Sequence, residues 1–337
     1  MRIAYDVTPL SHPRTGVGNY ILGALRGMVE DAGGHELVAF GPVSIRGRKL
    51  LDEALAGLDV ERRIVTVPFA HATRRAWGAV RHPVAERFVG RFDVLHFTDW
   101  MRPPQREGVR ATMIHDLGPL HFPDRLHPRT VRMHTTNARE ARNCDLVFVN
   151  SEFTASDVVE RLGIPRGRVR VAYPGVSPAF TPDGPGFDAP FIFSTATDNW
   201  RKNLENLRLA SELLGEEWPL INPVYDGQFS EDNLARFYRG ASVFVYPSRF
   251  EGFGIPVLEA MRSGTPCVVS NHPSLDEASG DAAIRVDPES PQAIAAGIEE
   301  ALERTDELIR RGFEHARAFT WTETGRAHLR GYADALS

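Results

Sequence analysis

The sequence predicts an α/β protein made of two parallel-sheet units, and three observations predict it. Short apolar runs alternate with helical stretches along the whole chain, the pattern of buried strands joined by crossover helices. The 337 residues amount to about two domains at roughly 150 residues each. A Pro/Gly-rich stretch at 178–190 interrupts the alternation, which then restarts. Read as the linker, that stretch separates residues 1–180 from 187–317, with a C-terminal helix at 318–337 packing back on the first unit.

The elements follow in order. Ile3 to Val7 reads as the first strand, followed by the glycine-bearing turn Thr15-Gly16-Val17-Gly18-Asn19. An amphipathic helix then runs through Ile21, Leu25 and Met28 and stops at Gly33-Gly34. Further strands are expected at 37–40, 93–97, 112–115, 146–150 and 169–173, and in the second unit at 191–194, 243–246 and 267–270. Ser290-Pro291 opens a last long helix that carries Ile294, Ile298, Leu302, Ile309 and Phe313 near helical period.

Composition narrows the function. Hydrophobic residues make up 42% and charged residues 25%, which excludes a disordered or fibrous chain. A net charge of −5 offers no basic field for nucleic acid. Cys144 and Cys267 lie in different halves, which excludes a disulfide framework and fits a reducing compartment. No apolar run is long enough to span a bilayer and the N-terminus enters a strand at once, so a soluble cytoplasmic protein is expected. The lysines Lys49 and Lys202 stand among 37 arginines, a bias that codon usage explains better than physics, though it singles out each lysine as a candidate for a role that arginine does not fill.

In open parallel sheets ligands bind at the carboxyl ends of the strands. Here those ends carry His96, His115-Asp116, Asn150-Ser151, Ser194-Thr195 and Ser248, although loop solvation alone also makes strand ends polar. The richest segment is Glu251-Gly252-Phe253-Gly254-Ile255-Pro256-Val257-Leu258-Glu259, a strand end, a glycine loop and a helix start. Such a start offers free N–H groups and a positive dipole end to an anion, and the two acids flank it as acceptors for sugar hydroxyls. The plainer alternative is a βα turn with two solvated acids. Arg201-Lys202-Asn203 follows another strand, where two cations suit a diphosphate leaving group or simply form a basic turn.

Three other features stay open or fall away. Gly16 and Gly18 form half a dinucleotide fingerprint, but Ile21 fills the third glycine position, so a dinucleotide is not expected. His115 and Asp116 are adjacent on a strand and point to opposite faces, so His115 reads as a ligand-contacting group and not as half of a dyad. No histidine shows metal-ligand spacing. Residues 71–91 hold Arg74, Arg75, Arg81, Arg87 and Arg91 against Glu86, interleaved with Trp77, Val80, Val84 and Phe88. A solvated helical face with its Trp packed inward is the favoured reading, peripheral contact with a membrane surface the alternative.

Together these segments resemble the GT-B glycosyltransferases, specifically family four, the retaining nucleotide-sugar enzymes. The resemblance covers nearly the whole chain. It is carried by Arg14–Tyr20, Asp93–Phe97, Ile114–Leu117, Val149–Phe153, Pro174–Val176 and Arg201–Leu204, then by Tyr238–Ala241, Pro247-Ser248, Glu251–Glu259, Gly264–Pro266 and Gly280–Ala283. It implies two Rossmann-like domains facing across a cleft, with the acceptor side in the first and a nucleotide sugar, GDP- or UDP-linked, held mainly by the second. It also implies that Glu259 accepts from the ribose hydroxyls and that Arg201 and Lys202 hold the diphosphate. Glu251, with the backbone of Gly252, Phe253 and Gly254 and the helix start at Ile255, would grip the transferred sugar. Gly16, with Gly18 in the same loop, would approach the diphosphate, His115 would touch the sugar, and Ser151 would shape that wall. No metal and no cofactor are implied, and the acceptor would be a glycan or a lipid-linked glycan in polysaccharide synthesis. The resemblance to members that add mannose is carried by Arg14–Tyr20.

Two departures from the pattern stand out. Many members have an extra arginine where this chain has Ala196. Between Leu214 and Glu231 the family places a strand, a helix and a second strand, a unit of roughly 30 residues that this stretch is too short to contain. Trp218-Pro219-Leu220 resembles its start and Val224 to Phe229 its end, so the second domain is expected to be short by one βα unit, with core exposed if the lost strand is central. A non-catalytic descendant that acts by binding, or a nucleotide-sugar epimerase on the same fold, are the alternatives. Lys202→Ala and Glu259→Ala are each expected to weaken donor binding and to leave the fold intact.

Overall fold

The computed structural model describes residues 1–188, 190–223 and 230–337. It divides into two compact units, residues 1–175 with 321–337, and residues 176–320. The first unit holds seven parallel strands: β1 (Arg2–Asp6), β2 (Glu36–Val43), β3 (Glu61–Thr66), β4 (Val94–Phe97), β5 (Val109–Ile114), β6 (Leu146–Val149) and β7 (Val169–Val171). Their order, β3-β2-β1-β4-β5-β6-β7, is doubly wound, with the chain reversing direction across the sheet between β1 and β4. The inner strands are covered on both faces and therefore read as unbroken apolar runs. The strand β3, Glu-Arg-Arg-Ile-Val-Thr, was not expected because its apolar run is only two residues long. It is an edge strand, where charge blunts unwanted pairing, and Arg2 ties Glu36 and Glu61 across the adjoining strands at 2.7 and 2.6 Å.

Two helices of this unit approach each other to backbone contact. On the helix Gly16–Glu30, a Cβ at Gly23 would lie 2.2 Å from the Trp321 ring and one at Gly27 would lie 1.8 Å from the Trp321 carbonyl oxygen. From the terminal helix Trp321–Leu336, a Cβ at Gly325 would meet the Gly27 backbone at 2.1 Å. Gly27→Ala is therefore expected to destabilise the unit by about 3 kcal/mol, at the upper end of overpacking costs. Thermal unfolding measures this, and an unchanged Tm would contradict the close approach.

Among its described residues the second unit has five parallel strands: β8 (Ile192–Phe193), β9 (Leu220–Ile221), β10 (Val243–Tyr246), β11 (Cys267–Ser270) and β12 (Ala283–Val286), in the order β12-β11-β10-β8-β9. This order corrects the concern about an exposed core. A doubly wound sheet of six runs 3-2-1-4-5-6, and here β9 takes the second place, with no strand beyond it among the described residues. The remaining place in that order is at the edge, so the pairings of β8, β10 and β11 at the centre of the sheet do not depend on it. Of the expected remnant, Val224 to Phe229 lies outside the described residues.

The stretch read as a linker is packed onto the second unit. Phe180 is buried edge-on against Tyr238, Arg239 donates to the carbonyls of Thr181 and Pro185, and Phe187 packs on Phe237. Val176 N–H donates to the Phe319 carbonyl, so both boundary segments belong to this unit. Proline and glycine mark irregular backbone, and irregular backbone can still be buried. The last long helix is two helices, Pro291–Glu303 and Thr305–Ala316, broken at Arg304. Beyond the break the buried positions are Leu308, Gly312 and Ala316, a phase that the count from Leu302 to Ile309 misplaces.

Candidate active site

In the second unit, β8 is followed by the short helical turn Trp200–Lys202. Asn203 closes that turn with φ 57°, a left-handed conformation that Asn tolerates better than most residues. Its buried side chain donates to the carbonyls of Pro247 and Pro288 at 3.1 and 2.6 Å. Arg249 clamps the turn from the next loop, with its N–H on the Arg201 carbonyl at 2.8 Å, Nη1 on the Trp200 carbonyl at 2.6 Å and its guanidinium over the Trp200 ring. The turn is thus held from two sides, and it projects Lys202 toward the end of β10.

There Lys202 Nζ lies 2.6 Å from Glu251 Oε1 and 2.5 Å from the Tyr246 hydroxyl, which itself donates to Glu251 Oε1 at 3.0 Å. Arg201 Nη1 stands 3.8 Å from the other oxygen, Glu251 Oε2. Glu251 is buried, and Ser274 Oγ accepts from its backbone N–H at 3.0 Å. Burial alone would raise the Glu251 carboxyl, but Lys202 and Arg201 outweigh it and hold it below its ordinary range. Burial opposes the Lys202 charge as well, and Glu251 more than restores it. Tyr246 is pushed up to about 12, chiefly by burial and then by the Glu251 charge. The result is a fully ionised pair at neutral pH, with a neutral phenol between the partners.

The glycine loop then turns into the helix Ile255–Arg262. Gly254 has φ 108°, and a Cβ there would lie 2.6 Å from Leu275 Cδ2, so the position requires glycine. Phe253 is buried against Phe319, which leaves its backbone alone for any ligand. Ile255 packs partly on the core. One turn into the helix, Glu259 accepts from the Tyr238 hydroxyl at 2.9 Å. Burial pushes the Glu259 carboxyl up to about 7, the Tyr238 bond offsets only part of this, and Glu231 adds repulsion. Two residues beyond β8, the buried Thr195 Oγ1 has no hydrogen-bond partner among the described residues.

In the first unit the candidates gather at the carboxyl ends of β1 and β5. Thr15 caps the helix Gly16–Glu30 through the Gly18 N–H. A Cβ on Gly16 would meet nothing within 4 Å, so no packing demands a glycine there. Tyr20, one turn further, places its ring edge-on to His115 at 5.2 Å. Burial pulls His115 down to about 4, with Asp116 compensating only in part, so the imidazole is neutral at physiological pH. Asp116 Oδ1 accepts from the Gly118 N–H at 2.8 Å, a turn contact. Ser151 is buried and caps the helix Glu152–Leu162 through the Thr154 N–H at 2.9 Å, a structural task that accounts for a serine there.

Several expectations need correction. His96 is inside β4, fully buried, with Nδ1 2.7 Å from the Tyr332 hydroxyl. Lys49 is a solvated lysine, 82% exposed and 4.0 Å from Glu53, so rarity carried no meaning at that position. In residues 71–91, Arg74 turns inward over Trp100 and is 1% exposed, while Trp77 is half-buried against Phe88. The segment is therefore not a uniformly basic face. Tyr246, Tyr238 and Arg249 were missed; Tyr246 shares the Phe244 face of β10 by two-residue alternation, which is the one available signal. Among the described residues no three His, Cys, Asp or Glu side chains are placed to hold a metal ion, and no helix is long and apolar enough to cross a membrane.

Comparison with known proteins gives this geometry its context. Residues 14–180 match the family model Glycosyltransferase Family 4, and residues 222–318 match Glycosyl transferases group 1. The O-antigen chain mannosyltransferase B of Escherichia coli is 25% identical across 98% of this chain and 99% of its own length. That alignment runs over 395 residues, so the relative carries several dozen that this chain lacks. The serotype-specific mannosyltransferase WbdA of Escherichia coli is 28% identical over 66% of this chain, a match that spans a third of that protein. Among solved structures, the sucrose-phosphate synthase from Thermosynechococcus elongatus superposes with a TM-score of 0.70 at 17% identity, covering 99% of this chain and 98% of that one. Anabaena HepE in complex with UDP-glucose gives 0.66 at 14%, covering 99% and 100%. The fold is GT-B, and the chain belongs to the group 1, family 4 glycosyltransferases, enzymes that transfer sugars in glycoconjugate synthesis.

Proposed function

We propose that the chain is a retaining hexosyltransferase that moves a sugar, mannose being the first choice, from a nucleotide donor to a glycan or lipid-linked acceptor. The observation that carries this reading is the ionised Lys202–Glu251 pair beside the glycine-loop helix start, with Arg201 at its edge. Two cations and a helix N-terminus form a site for a diphosphate. In the free protein Glu251 occupies Lys202; a bound diphosphate offers Lys202 and Arg201 a second anion. The loop around Glu251 then faces the sugar, and Glu259 accepts from the ribose. A relative matched over 98% of the chain and another matched over 66% bear mannosyltransferase names, which supports mannose.

In such a site the bond from the anomeric carbon to the phosphate oxygen breaks with its electron pair going to that oxygen. Lys202 and Arg201 stabilise the charge that develops there. The acceptor hydroxyl attacks from the same face, and its proton passes to the departing phosphate oxygen. This route asks for no protein nucleophile, and the neutral His115 serves as a hydrogen-bonding group. The nucleotide-sugar donor is the only small molecule required, with neither metal nor cofactor.

Thermal unfolding with UDP, GDP, ADP and dTDP in separate samples tests the reading. A nucleotide at 100 times its Kd is expected to add about 2.7 kcal/mol of stability. A rise in Tm with GDP or UDP, together with slow hydrolysis of the matching nucleotide sugar, is the expected result. No shift with any of the four would return the chain to a non-catalytic role.

A further inference from the structure

The net charge of −5 hides an opposition between the two units. Residues 1–175 with 321–337 carry 27 Lys and Arg against 21 Asp and Glu, a net of +6. Residues 176–320 carry 12 against 23, a net of −11. Charge separated in this way points to an anionic partner for the basic unit. Within that unit the stretches 62–85 and 125–139 contain no acid at all.

The first stretch holds the helix Ala70–Val80, which turns Ala70, Arg74 and Trp77 toward the sheet. Its outward face is Ala72, Arg75, Ala76, Ala79 and Val80, all exposed. A surface helix ordinarily presents polar residues to water; this one presents alanines, a valine 70% exposed and a single cation. Both of its ends are left-handed, Phe69 at φ 50° and Arg81 at φ 57°. That conformation is strained for a bulky residue, and Phe69 gains no packing in return, because it is 86% exposed. Beyond β2 and β3 the chain leaves the sheet side by side, with the Val67 N–H on the Val43 carbonyl at 2.9 Å. Two residues past each of these come Ile45, 83% exposed, and Phe69.

The second stretch extends the same surface. The helix Pro128–Ala141 buries Ala138 and Ala141 and exposes Arg129, Arg132 and Arg139. Residues 99–102 bridge the two helices: the Asp99 carbonyl accepts from Asn137 Nδ2 at 3.2 Å, and a Cβ on Gly78 would lie 3.3 Å from the Arg102 carbonyl oxygen. None of Arg75, Arg81, Arg129, Arg132 and Arg139 has an acid three or four positions away, whereas Arg48 has Asp52 and Arg304 has Glu300.

We propose that the helix Ala70–Val80 and its flanks form a docking surface for an anionic phospholipid bilayer. Ile45, Phe69 and Val80 enter the acyl boundary, while Arg75 and Arg81, backed by the arginines of the helix Pro128–Ala141, meet the headgroup phosphates. A nucleic-acid backbone would use the cations and leave Ile45 and Val80 in water. A second copy docked about a two-fold axis would set this cationic patch against itself. The inference goes beyond the glycosyl-transfer reading and does not depend on it.

Cosedimentation with vesicles tests the surface, using phosphatidylcholine alone and equal parts of phosphatidylcholine and phosphatidylglycerol. The samples are the unaltered protein, Phe69→Asn, and Arg75→Gln combined with Arg81→Gln, each also measured for Tm and for its nucleotide-induced Tm shift. Binding is expected with the mixed vesicles and not with phosphatidylcholine alone. Phe69→Asn is expected to weaken it about tenfold, and the double arginine variant about twenty-fold. The Tm of Phe69→Asn is expected to stay level or rise, because Asn tolerates the left-handed conformation better, and the nucleotide shift is expected to be unchanged in both variants. Vesicle binding that is absent from the unaltered protein, or that survives both variants, overturns the proposal. So does equal binding of a mixed-sequence DNA duplex that Phe69→Asn leaves intact, or a dimer in light scattering that the same substitutions dissolve. A lowered Tm in Phe69→Asn would make the ring structural and overturn its role.

Discussion

Lys202→Ala is expected to abolish donor binding and also to destabilise the second unit by about 3–5 kcal/mol, the usual consequence of stranding one member of a buried ion pair. The sequence alone suggested a variant with an intact fold. The structure changes that expectation, because Glu251 is buried and its ionised form depends on Lys202. Arg201, at 3.8 Å from the other carboxylate oxygen, keeps the loss toward the lower end. Two further variants separate stability from function. Glu251→Gln in the Lys202→Ala background removes the stranded charge, so much of the lost stability is expected to return while donor binding stays absent. Denaturant unfolding and the nucleotide-induced Tm shift, read on the single and double variants, form a double-mutant cycle. A Lys202→Ala protein with native stability and a full nucleotide shift would refute both the pair and its role.

The central strands were legible because burial on both faces writes them as apolar runs; β10 and β11 fall where the sequence puts them, at Val243–Tyr246 and Cys267–Ser270. The edges were not. The strand β3 is mostly charged, β9 is two residues long, and β12 alternates apolar with polar positions as an edge strand does. Edge position also decides what the short 214–231 stretch means, and strand order cannot be read from composition. The same division runs through the site. Glycine requirements and chemical types were visible, so Lys202, Glu251 and Gly254 stood out. That Lys202 and Glu251 touch, 49 positions apart, is a property of how β8 and β10 lie side by side. Ser151 shows the converse, since a serine at a strand end caps the next helix as readily as it contacts a ligand.

Glu259→Gln is expected to make the protein more stable and less able to bind donor, with both effects set by pH. The Glu259 carboxyl is raised from 4.5 to about 7, first by burial and then by Glu231, with the Tyr238 hydrogen bond working the other way. The folded state therefore holds the proton more tightly than the unfolded state. The stability this confers is complete below about 4.5 and is lost as pH rises through 7. At pH 8 the ionised group leaves a deficit of up to about 3 kcal/mol, because each tenfold difference in proton affinity between the two states is worth about 1.36 kcal/mol. Glutamine keeps the shape without the charge, so its Tm is expected to exceed the native value by several degrees at pH 8 and to match it at pH 5. The donor responds in the opposite sense. A carboxylate accepts from both ribose hydroxyls, whereas its protonated form has to give up one acceptor to an O–H donor. Donor affinity of the native protein is therefore expected to climb as pH passes through about 7, and that of Glu259→Gln to be weaker and flat. Retaining an acid that destabilises the helix on which it sits is what a binding residue would do and a structural one would not. A Glu259→Gln protein with a lower Tm at pH 8 would mean that the carboxylate is stabilised where it is, and the case for it as the ribose acceptor would lose its physical basis.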